Sequence, residues 1–299
     1  MMTAAAGNGA RAAAESAAAR LDASTQAVVL AEAKHWGLPL RFDRGTPVLD
    51  YPAERLDAAR IAKLAGPGLP PAEILAFCDS TNTRILEQAE LQLCLSEAQW
   101  AGRGRRGRSW YSPFGRHLYL SLRLSTPAEP PASLPLVAAL SAYQVLAAQL
   151  PGLWVKWPND LWLDGRKLGG LLAEGRRRGG RQDWVLGMGL NCHLDPGLDA
   201  SGTCLAEHGQ RVDRNALAAA ILRQWQADFP LLASAGFTAF AERWAAADRL
   251  CGQTVEVQRD GQCRLGQARG VDHAGRLRVQ IGGEERYLDA ADVRIRPAP

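Results

Sequence analysis

Residues 102–108 suit the binding of an anion, because they combine arginines with glycines. They read Gly-Arg-Gly-Arg-Arg-Gly-Arg, which places four guanidinium groups within seven residues. Arginine stays charged in proteins and bonds phosphate or carboxylate through two donors at once. Glycine tolerates positive φ angles, which allow successive backbone amides to converge on one oxyanion. The segment therefore predicts a loop that binds phosphate or carboxylate; the alternatives are a solvated basic loop and an RNA-binding arginine–glycine tract.

Residues 156–160 form a second polar segment, at the end of an apolar strand predicted at 153–157. They read Lys-Trp-Pro-Asn-Asp, and the proline has no N–H to donate to a neighbouring strand. The strand therefore ends here and presents Asn159 and Asp160 at a position where binding sites are commonly built. The Asp160 carboxylate is a hard oxygen ligand suited to Mg²⁺ beside a nucleotide. An ordinary Asx turn is the alternative explanation for this pair.

Lys167 lies just after a predicted two-residue hairpin turn at Asp164 and Gly165. The other residues of its strand are mostly apolar, with leucines at 168, 171 and 172. An ammonium directed inward from such a strand must find an anion, whereas a lysine on the outer face would be solvated. The residues alone leave both orientations open.

Two further segments are candidates for contacts with a ligand. Residues 79–82 read Asp-Ser-Thr-Asn and open a predicted helix, where Ser80 either caps the helix or joins the helix-start amides in binding a polar ligand head. Residues 187–191 read Gly-Met-Gly-Leu-Asn and place two glycines inside a predicted strand. Glycine in a strand interior indicates close approach of another backbone or of a ligand.

The composition is that of an ordinary globular protein. The 299 residues carry a net charge of +4, with 47% apolar and 22% charged residues. This charge is too small to predict nucleic-acid binding by itself, and no stretch approaches the ~20 apolar residues of a membrane span. The six cysteines form no C-x-x-C pair, which together with the absence of a visible secretory signal predicts reduced, mostly buried thiols in a cytoplasmic protein. The alanine-rich first twenty residues predict a frayed terminus, although transit peptides have a similar composition.

The pattern of apolar residues and of glycine and proline divides the chain into three blocks, 1–65, 66–247 and 248–299. In the first block, helices are predicted at 12–21, 24–36 and 53–65, with a wing-like hairpin around Arg44 and Gly45. In the second block, helices are predicted at 80–90, 133–150, 213–232 and 237–248, and strands at 74–78, 91–98, 117–124, 153–157, 161–163, 167–174 and 184–191. The third block contains short strands separated by glycines, at 254–258, 262–271, 276–281, 286–288 and 293–296, which predict a small β-barrel.

Taken in chain order, these motifs resemble those of bacterial biotin–protein ligases. The series D-S-T-N, Q-x-A-G-R-G-R-R-G-R, K-W-P-N-D, G-R-K-L-G-G and G-x-G-x-N extends the resemblance over residues 72–299, and it is weaker from about residue 17. The resemblance implies an α/β (α+β) catalytic domain similar to class II aminoacyl-tRNA synthetases. It also implies a C-terminal SH3-like β-barrel and a small, partly degenerate N-terminal winged-helix-like domain.

The resemblance implies two reactions in one site. The carboxylate of biotin attacks the α-phosphate of ATP to give biotinyl-5′-AMP and pyrophosphate, and a lysine of the biotin carboxyl carrier protein then attacks the acyl carbon. Both reactants of the first step are anionic, so the site must offset their repulsion with arginines, a lysine and Mg²⁺. A loop that closes on the intermediate would also keep water from the mixed anhydride.

The same resemblance assigns roles to residues by their place in the motifs. The catalytic residues would be Lys167, which holds the biotin carboxylate, and Arg105, which retains the intermediate. Biotin would be bound by Ser80, Thr81, Asn82, Gln99, Gly102, Arg103, Arg105, Lys167, Gly169 and Gly170. ATP and the adenylate would be bound by Arg103, Arg105, Arg106, Arg108, Trp110, Asn159, Asp160 and Asn191. Asp160 would also bind Mg²⁺.

The N-terminal block departs from the pattern of family members that also repress transcription. Its candidate recognition helix, residues 24–36, offers only Lys34 and His35 against Glu32, whereas a DNA-reading helix usually presents several basic or amide side chains. We therefore expect no operator binding and no transcriptional repression. The alternatives are a lipoate or octanoate ligase, which should lack the arginine loop, a DNA-binding biotin sensor, and a nucleic-acid-binding protein. An exposed edge of the catalytic sheet could pair with a second copy to form a homodimer.

Overall fold

The computed structural model describes residues 22–35, 40–44, 46–49, 54–124, 131–178, 181–259, 262–289 and 294–297. The helix predicted at 12–21 and the alanine-rich terminus lie outside these ranges. Within them, no helix is long and apolar enough to cross a membrane. All six cysteines are free, and only Cys251 and Cys263 are exposed.

The N-terminal region contains one helix and one hairpin. Helix α1 (Ala23–His35) begins after Asp22, whose carboxylate accepts a hydrogen bond of 2.9 Å from the Thr25 N–H and so satisfies a free helix-start donor. Strands β1 (Leu40–Asp43) and β2 (Thr46–Leu49) pair antiparallel, with Leu40 opposite Leu49. The predicted helix and hairpin are therefore confirmed in their positions along the chain.

The central region is built on a seven-stranded sheet with the order β3-β4-β5-β9-β8-β7-β6. Strands β3 and β4 run parallel, and the other neighbours run antiparallel. The strands are β3 (Ala72–Leu75), β4 (Leu93–Ser96), β5 (Leu118–Leu124), β6 (Leu153–Lys156), β7 (Asp160–Leu163), β8 (Arg166–Arg178) and β9 (Arg181–Leu190). The predicted turn at Asp164 and Gly165 joins β7 to β8, and both residues have positive φ (48° and 79°), as a type I′ turn requires.

Five helices surround this sheet or extend from it. They are α2 (Ala58–Ala65), α3 (Thr81–Glu87), α4 (Leu134–Leu146), α5 (Arg214–Ala235) and α6 (Ala241–Ala247). Helix α4 is apolar on most of its surface because it lies between α5 and strand β8, so that nine of its residues are buried. Asp213 caps α5 as expected, since its carboxylate accepts from the N–H groups of Asn215 and Ala216.

Several helix limits differ from the predictions. Helix α2 begins at Ala58 rather than at residue 53, because Asp57 caps it by accepting from the Arg60 N–H at 2.7 Å. The helix predicted at 133–150 ends as an α-helix at Leu146 and continues only as a 3₁₀ turn, so the 22-residue α5 is longer. Helix α3 ends at Glu87, and Ser80 occupies its N-cap position without a capping hydrogen bond from its side chain.

Helix α2 packs with the central region, although the sequence pattern assigned it to the first block. Leu56 and Ile61 are buried in the main apolar core. The fully buried Glu97 accepts a hydrogen bond of 2.8 Å from the Leu56 N–H and pairs with Arg214 at 2.8 Å. The apolar face of α2 has to be buried, and the core of the central region covers it. The block limits themselves stay predictions.

The C-terminal region is a five-stranded antiparallel sheet with the order β13-β12-β11-β10-β14. Its strands are β10 (Thr254–Arg259), β11 (Gln262–Val271), β12 (Leu277–Ile281), β13 (Glu284–Leu288) and β14 (Arg294–Pro297). The turn before β12 touches the central region, since the carbonyl of Gly275 accepts from the Trp157 indole N–H at 2.9 Å. The predicted sheet is confirmed, and its description as an SH3-like barrel stays a prediction.

Candidate active site

A cavity of about 690 Å³ lies between the arginine loop (residues 102–108), the turn at 156–160, the start of α3, and strands β8 and β9. It brings together most of the residues that the motifs selected. Those that line it are Ser80, Thr81, Asn82, Gln99, Arg103, Arg105, Arg106, Arg108, Trp110, Asn159, Asp160, Lys167, Gly170 and Asn191. Segments more than a hundred residues apart in sequence therefore meet at one site.

Gly102 and Gly169, two of the predicted biotin-binding residues, do not line the cavity. A Cβ at Gly102 would lie 2.6 Å from the Trp110 carbonyl oxygen, and one at Gly169 would lie 2.9 Å from the Gly189 carbonyl oxygen. Both glycines thus let neighbouring backbone segments approach closely. The structure gives them a packing role, and their assignment to biotin binding stays a prediction.

The floor of the cavity is a chain of hydrogen bonds between buried polar side chains. The Gln99 carboxamide oxygen accepts from the Thr81 N–H at 2.9 Å and lies 3.2 Å from its hydroxyl. At its other end, Gln99 donates to the Ser112 hydroxyl at 3.0 Å. The Ser121 hydroxyl lies 2.7 Å from Thr81 Oγ1 and 2.6 Å from Asn82 Oδ1. This arrangement presents fixed donors and acceptors to a polar ligand head. We call it the polar floor.

The two strand glycines predicted to allow close approach do so. A Cβ at Gly187 would collide with the Asn82 carboxamide, and a Cβ at Gly189 would collide with the Trp110 indole. These glycines let α3 and the segment after the arginine loop lie directly against β9. The close approach at Gly187 and Gly189 is made by side chains, whereas the prediction was of another backbone or of a ligand.

The arginine loop has a defined backbone. A bridge pairs Arg103 with Ser109, and the Gly104 N–H donates to the Arg108 carbonyl at 2.7 Å. The positive φ angles fall on Arg106 (61°) and Gly107 (69°), so only one of the three glycines takes the left-handed conformation. For Arg106 this conformation is costly by about 1 kcal/mol, which glycine would avoid.

The four arginines of the loop lie in different surroundings. Arg103 pairs with Glu174 at 2.9 Å, whereas Arg106 and Arg108 are exposed at the rim. Arg105 reaches inward and donates to Asn159 Oδ1 at 3.2 Å. Burial lowers the pKa of Arg105, although the nearby Asp160 carboxylate acts in the opposite direction. Arg105 is therefore the loop cation that lies deepest beside the 156–160 turn.

Lys167 points into the cavity and has an anionic partner there. Its Nζ lies 2.8 Å from Asp160 Oδ1 and 5.2 Å from the centre of the Trp110 ring. Strands β7 and β8 bring the two charges together, because Asp160 pairs with Gly170 and a bulge follows before Trp162 meets Lys167. The inward orientation, which the sequence left open, is the one observed.

Comparison with known proteins decides the family. The biotin/lipoate A/B protein ligase family matches residues 74–191, and the biotin protein ligase C-terminal domain matches residues 250–296. The bifunctional ligase/repressor BirA of Escherichia coli (strain K12) is 32% identical over 262 residues, which cover 84% of this chain and 81% of BirA. The chain belongs to the biotin protein ligase family.

Two further comparisons agree with this family. The biotin–[acetyl-CoA-carboxylase] ligase of Paracoccus denitrificans is 32% identical over 240 residues, 74% of this chain and 98% of that relative. The structure of the Aquifex aeolicus biotin protein ligase, in complex with biotin and ATP, superposes with a TM-score of 0.68 at 23% identity. It covers 76% of this chain and 99% of that one. At this identity the likeness shows the fold.

In this biotin protein ligase, three cavity-region residues were missed by sequence reasoning. Lys156 lines the cavity, is 8% exposed, and holds its ammonium 3.9 Å from the centre of the Trp162 ring. Its place inside the K-W-P-N-D motif was a signal that could have identified it. Ser121 lies on β5 and Glu174 on β8, and neither belongs to a local motif. Only their hydrogen-bond partners in the folded structure identify them as part of the site.

Proposed function

We propose that this protein is an ATP-dependent ligase that forms biotinyl-5′-AMP from biotin and ATP and then transfers biotin to a lysine of the biotin carboxyl carrier protein of a carboxylase. The observation that carries the proposal is a single cavity that places Lys167, Arg105 and Asp160 beside a polar floor. The names of relatives support it, since the matching proteins of Paracoccus denitrificans and Mycobacterium tuberculosis are biotin–[acetyl-CoA-carboxylase] ligases.

In the first step, a carboxylate oxygen of biotin bonds to the α-phosphorus of ATP, and the bond from that phosphorus to the β-phosphate oxygen breaks. Lys167 turns from Asp160 to the biotin carboxylate and stabilises the charge that develops during the attack. Arg105 retains the phosphate of the adenylate, and Lys156 adds a second buried positive charge near the turn. The polar floor, with Ser80, Thr81 and Gln99, binds the head group, while Trp110 and the neighbouring leucines cover its apolar parts.

Mg²⁺ fits this site through Asp160. The described residues contain no group of three or more acidic, histidine or cysteine side chains that could hold a metal alone. Mg²⁺ beside a nucleotide typically binds one or two carboxylates together with phosphate oxygens, which is what Asp160 and bound ATP would provide. When bound, the ion neutralises phosphate charge. Asn159 and Asn191, which also line the cavity, position the nucleotide.

In the second step, the carrier lysine amine attacks the acyl carbon, loses a proton, and expels AMP. The reaction needs an intermediate that water does not reach, and the arginine loop, which lines the cavity along one side, supplies that cover. Arg106 and Arg108 at the exposed rim keep anionic groups close to the opening.

The flanking regions have their own roles in this proposal. The catalytic domain is of the class II aminoacyl-tRNA synthetase kind, and the C-terminal sheet is an SH3-like barrel. Helix α1 and the β1–β2 hairpin form a degenerate winged-helix-like domain that does not bind an operator or repress transcription, since α1 carries few DNA-reading side chains. The enzyme acts in the cytoplasm, and a homodimer through an edge of the catalytic sheet remains part of the proposal.

Incubation of the purified protein with biotin, MgATP and a biotin carboxyl carrier domain tests the activity. We expect a mass increase on the acceptor lysine, and a carrier with arginine at that position serves as the control. Transfer of lipoate or octanoate instead would assign the chain to structural relatives with a different substrate. The N-terminal proposal is tested by fluorescence anisotropy with biotin-operon DNA at several salt concentrations, where sequence-selective binding at sub-micromolar affinity would contradict it.

A further inference from the structure

Glu174 on strand β8 connects the arginine loop to helix α3. Its two carboxylate oxygens accept from Arg103 Nε at 3.2 Å and from Arg103 Nη2 at 2.9 Å, which is the paired geometry of a strong guanidinium–carboxylate contact. Glu174 Oε2 also accepts from Asn82 Nδ2 at 2.7 Å. One side chain therefore holds residues from two segments that both line the cavity.

The side-chain donors of Arg103 take part in this connection. Besides the two bonds to Glu174, its Nη1 donates to the Thr83 hydroxyl on α3 at 2.7 Å. All three nitrogens of the guanidinium are thus engaged with protein groups, and its charge is neutralised by an adjacent carboxylate. Arg103 therefore contributes little positive potential to an anion in the cavity, in contrast to Arg105.

The connection continues from Glu174 to the polar floor. The Asn82 carboxamide that donates to Glu174 lies 2.6 Å from the Ser121 hydroxyl through its oxygen. Ser121 in turn lies 2.7 Å from Thr81 Oγ1, which is part of the floor. A short series of hydrogen bonds thus runs from the loop, through Glu174, to the proposed head-group site. The Thr81, Asn82 and Ser121 end of this series is buried, whereas the Arg103–Glu174 end is partly exposed. Groups joined in such a network restrict one another's movement.

We propose that Glu174 is a positioning residue that fastens the arginine loop to the polar floor, so that a ligand on the floor favours the closed loop. Arg103 serves this fastening instead of binding phosphate. The identity of the floor ligand as biotin rests on the function proposed above. The fastening is a property of this chain's own contacts, and it can be measured without turnover.

Limited trypsin digestion reports loop opening directly, because the loop contains four arginines as cleavage sites. Glu174→Gln removes the charge that faces Arg103, and we expect loop cleavage without ligand to become about tenfold faster, the change that ~1.4 kcal/mol produces in an opening equilibrium. Biotin should slow cleavage of the wild type and have less effect on the variant. Glu285→Gln is the matched control, since Glu285 pairs with Arg278 at 2.8 Å on the C-terminal sheet with similar exposure. Its cleavage should equal that of the wild type.

Kinetics separate positioning from a general loss of structure. Glu174→Gln should raise the KM for biotin several-fold, and it should also raise the release of activated biotin onto unrelated lysines several-fold. Its effect on kcat for pyrophosphate release should be smaller than either change. Adding Arg103→Ala to this variant should change little further, because both substitutions break the same contact. The fastening would be overturned if Glu174→Gln were cleaved at the wild-type rate and protected by biotin as the wild type is. Fully additive effects of Glu174→Gln and Arg103→Ala in the double variant would also count against it. If the variant melts early, Arg103→Ala alone supplies the same readouts, with the same expectations. A wild-type protein that transfers no biotin would refute the proposed function, while the cleavage rates without ligand would still decide the role of Glu174.

Discussion

Replacing Lys167 with alanine should prevent adenylate formation far more than it weakens ATP binding. The ammonium lies 2.8 Å from Asp160 and, in the proposed first step, turns to the biotin carboxylate, so its removal takes away the positive charge that faces the attacking group. Two unit charges ~4 Å apart interact by about 4 kcal/mol at the effective dielectric near a protein surface. Because the Lys167 side chain is 34% exposed, we halve this value for screening by water. The lost attraction to the biotin carboxylate is then worth roughly 2 kcal/mol, or about thirtyfold in rate.

The assay is pyrophosphate release with biotin and MgATP, combined with ATP titration by calorimetry. We expect kcat of Lys167→Ala to fall by about thirtyfold, while ATP affinity changes less than roughly threefold. Asp160→Asn should also lower the rate, because Asp160 is the proposed Mg²⁺ ligand. Near-normal pyrophosphate release by Lys167→Ala would refute the reasoning.

Three further predictions concern other parts of the fold. Arg105→Gly should release the acyl-adenylate, because this half-buried loop cation holds its anionic part, and labelling of unrelated lysines in a protein mixture measures the release. Burial lowers the pKa of His117 from 6.5 to about 4. Between pH 6.5 and 4 the imidazole is therefore protonated in the unfolded chain and neutral in the folded protein. His117 should therefore lower the free energy of unfolding by roughly 3 kcal/mol from pH 6.5 to 4. Burial also lowers the pKa of His193 to about 4, so the contribution of His117 is measured as the difference in pH dependence between the wild type and His117→Gln in urea denaturation. Gly275→Ala should destabilise the protein by about 1–3 kcal/mol more than Gly282→Ala in the same assay, since both glycines have positive φ but only a Cβ at 275 meets another atom, Ser133 Cβ at 2.8 Å.

Each of these expectations has a result that would contradict it. Unchanged labelling selectivity in the Arg105→Gly protein would show that another group retains the intermediate. For His117, a pH dependence as steep in the glutamine variant as in the wild type would assign the acid instability to other groups. If the two glycine substitutions destabilise the protein equally, the turn at residue 275 adapts to a side chain. Its contact with Trp157 would then tolerate a shift of the backbone.

Local sequence signals predicted much of this fold and most residues of the cavity. The turn at Asp164 and Gly165 follows from the preference of these residues for positive φ, and α5 starts where Asp213 can cap it. The glycines at 187 and 189 indicated close packing against their strand, although the sequence did not show which groups would pack there. The motif order then selected fourteen residues that line one cavity. Such features depend on a residue and its near neighbours, which is why they can be read along the chain.

Other features depend on which strands become neighbours and in which register. Arg103 carries the same charge as Arg105, yet it pairs with Glu174, 71 residues away, whereas Arg105 turns toward Asn159, 54 residues away. Gly102 and Gly169 belong to the motifs, and backbone segments pack closely on both of them. The sequence by itself determined the local elements and the types of groups available for chemistry. Only the tertiary structure decided which charge neutralises which, because that choice is set by strand order and register over long separations.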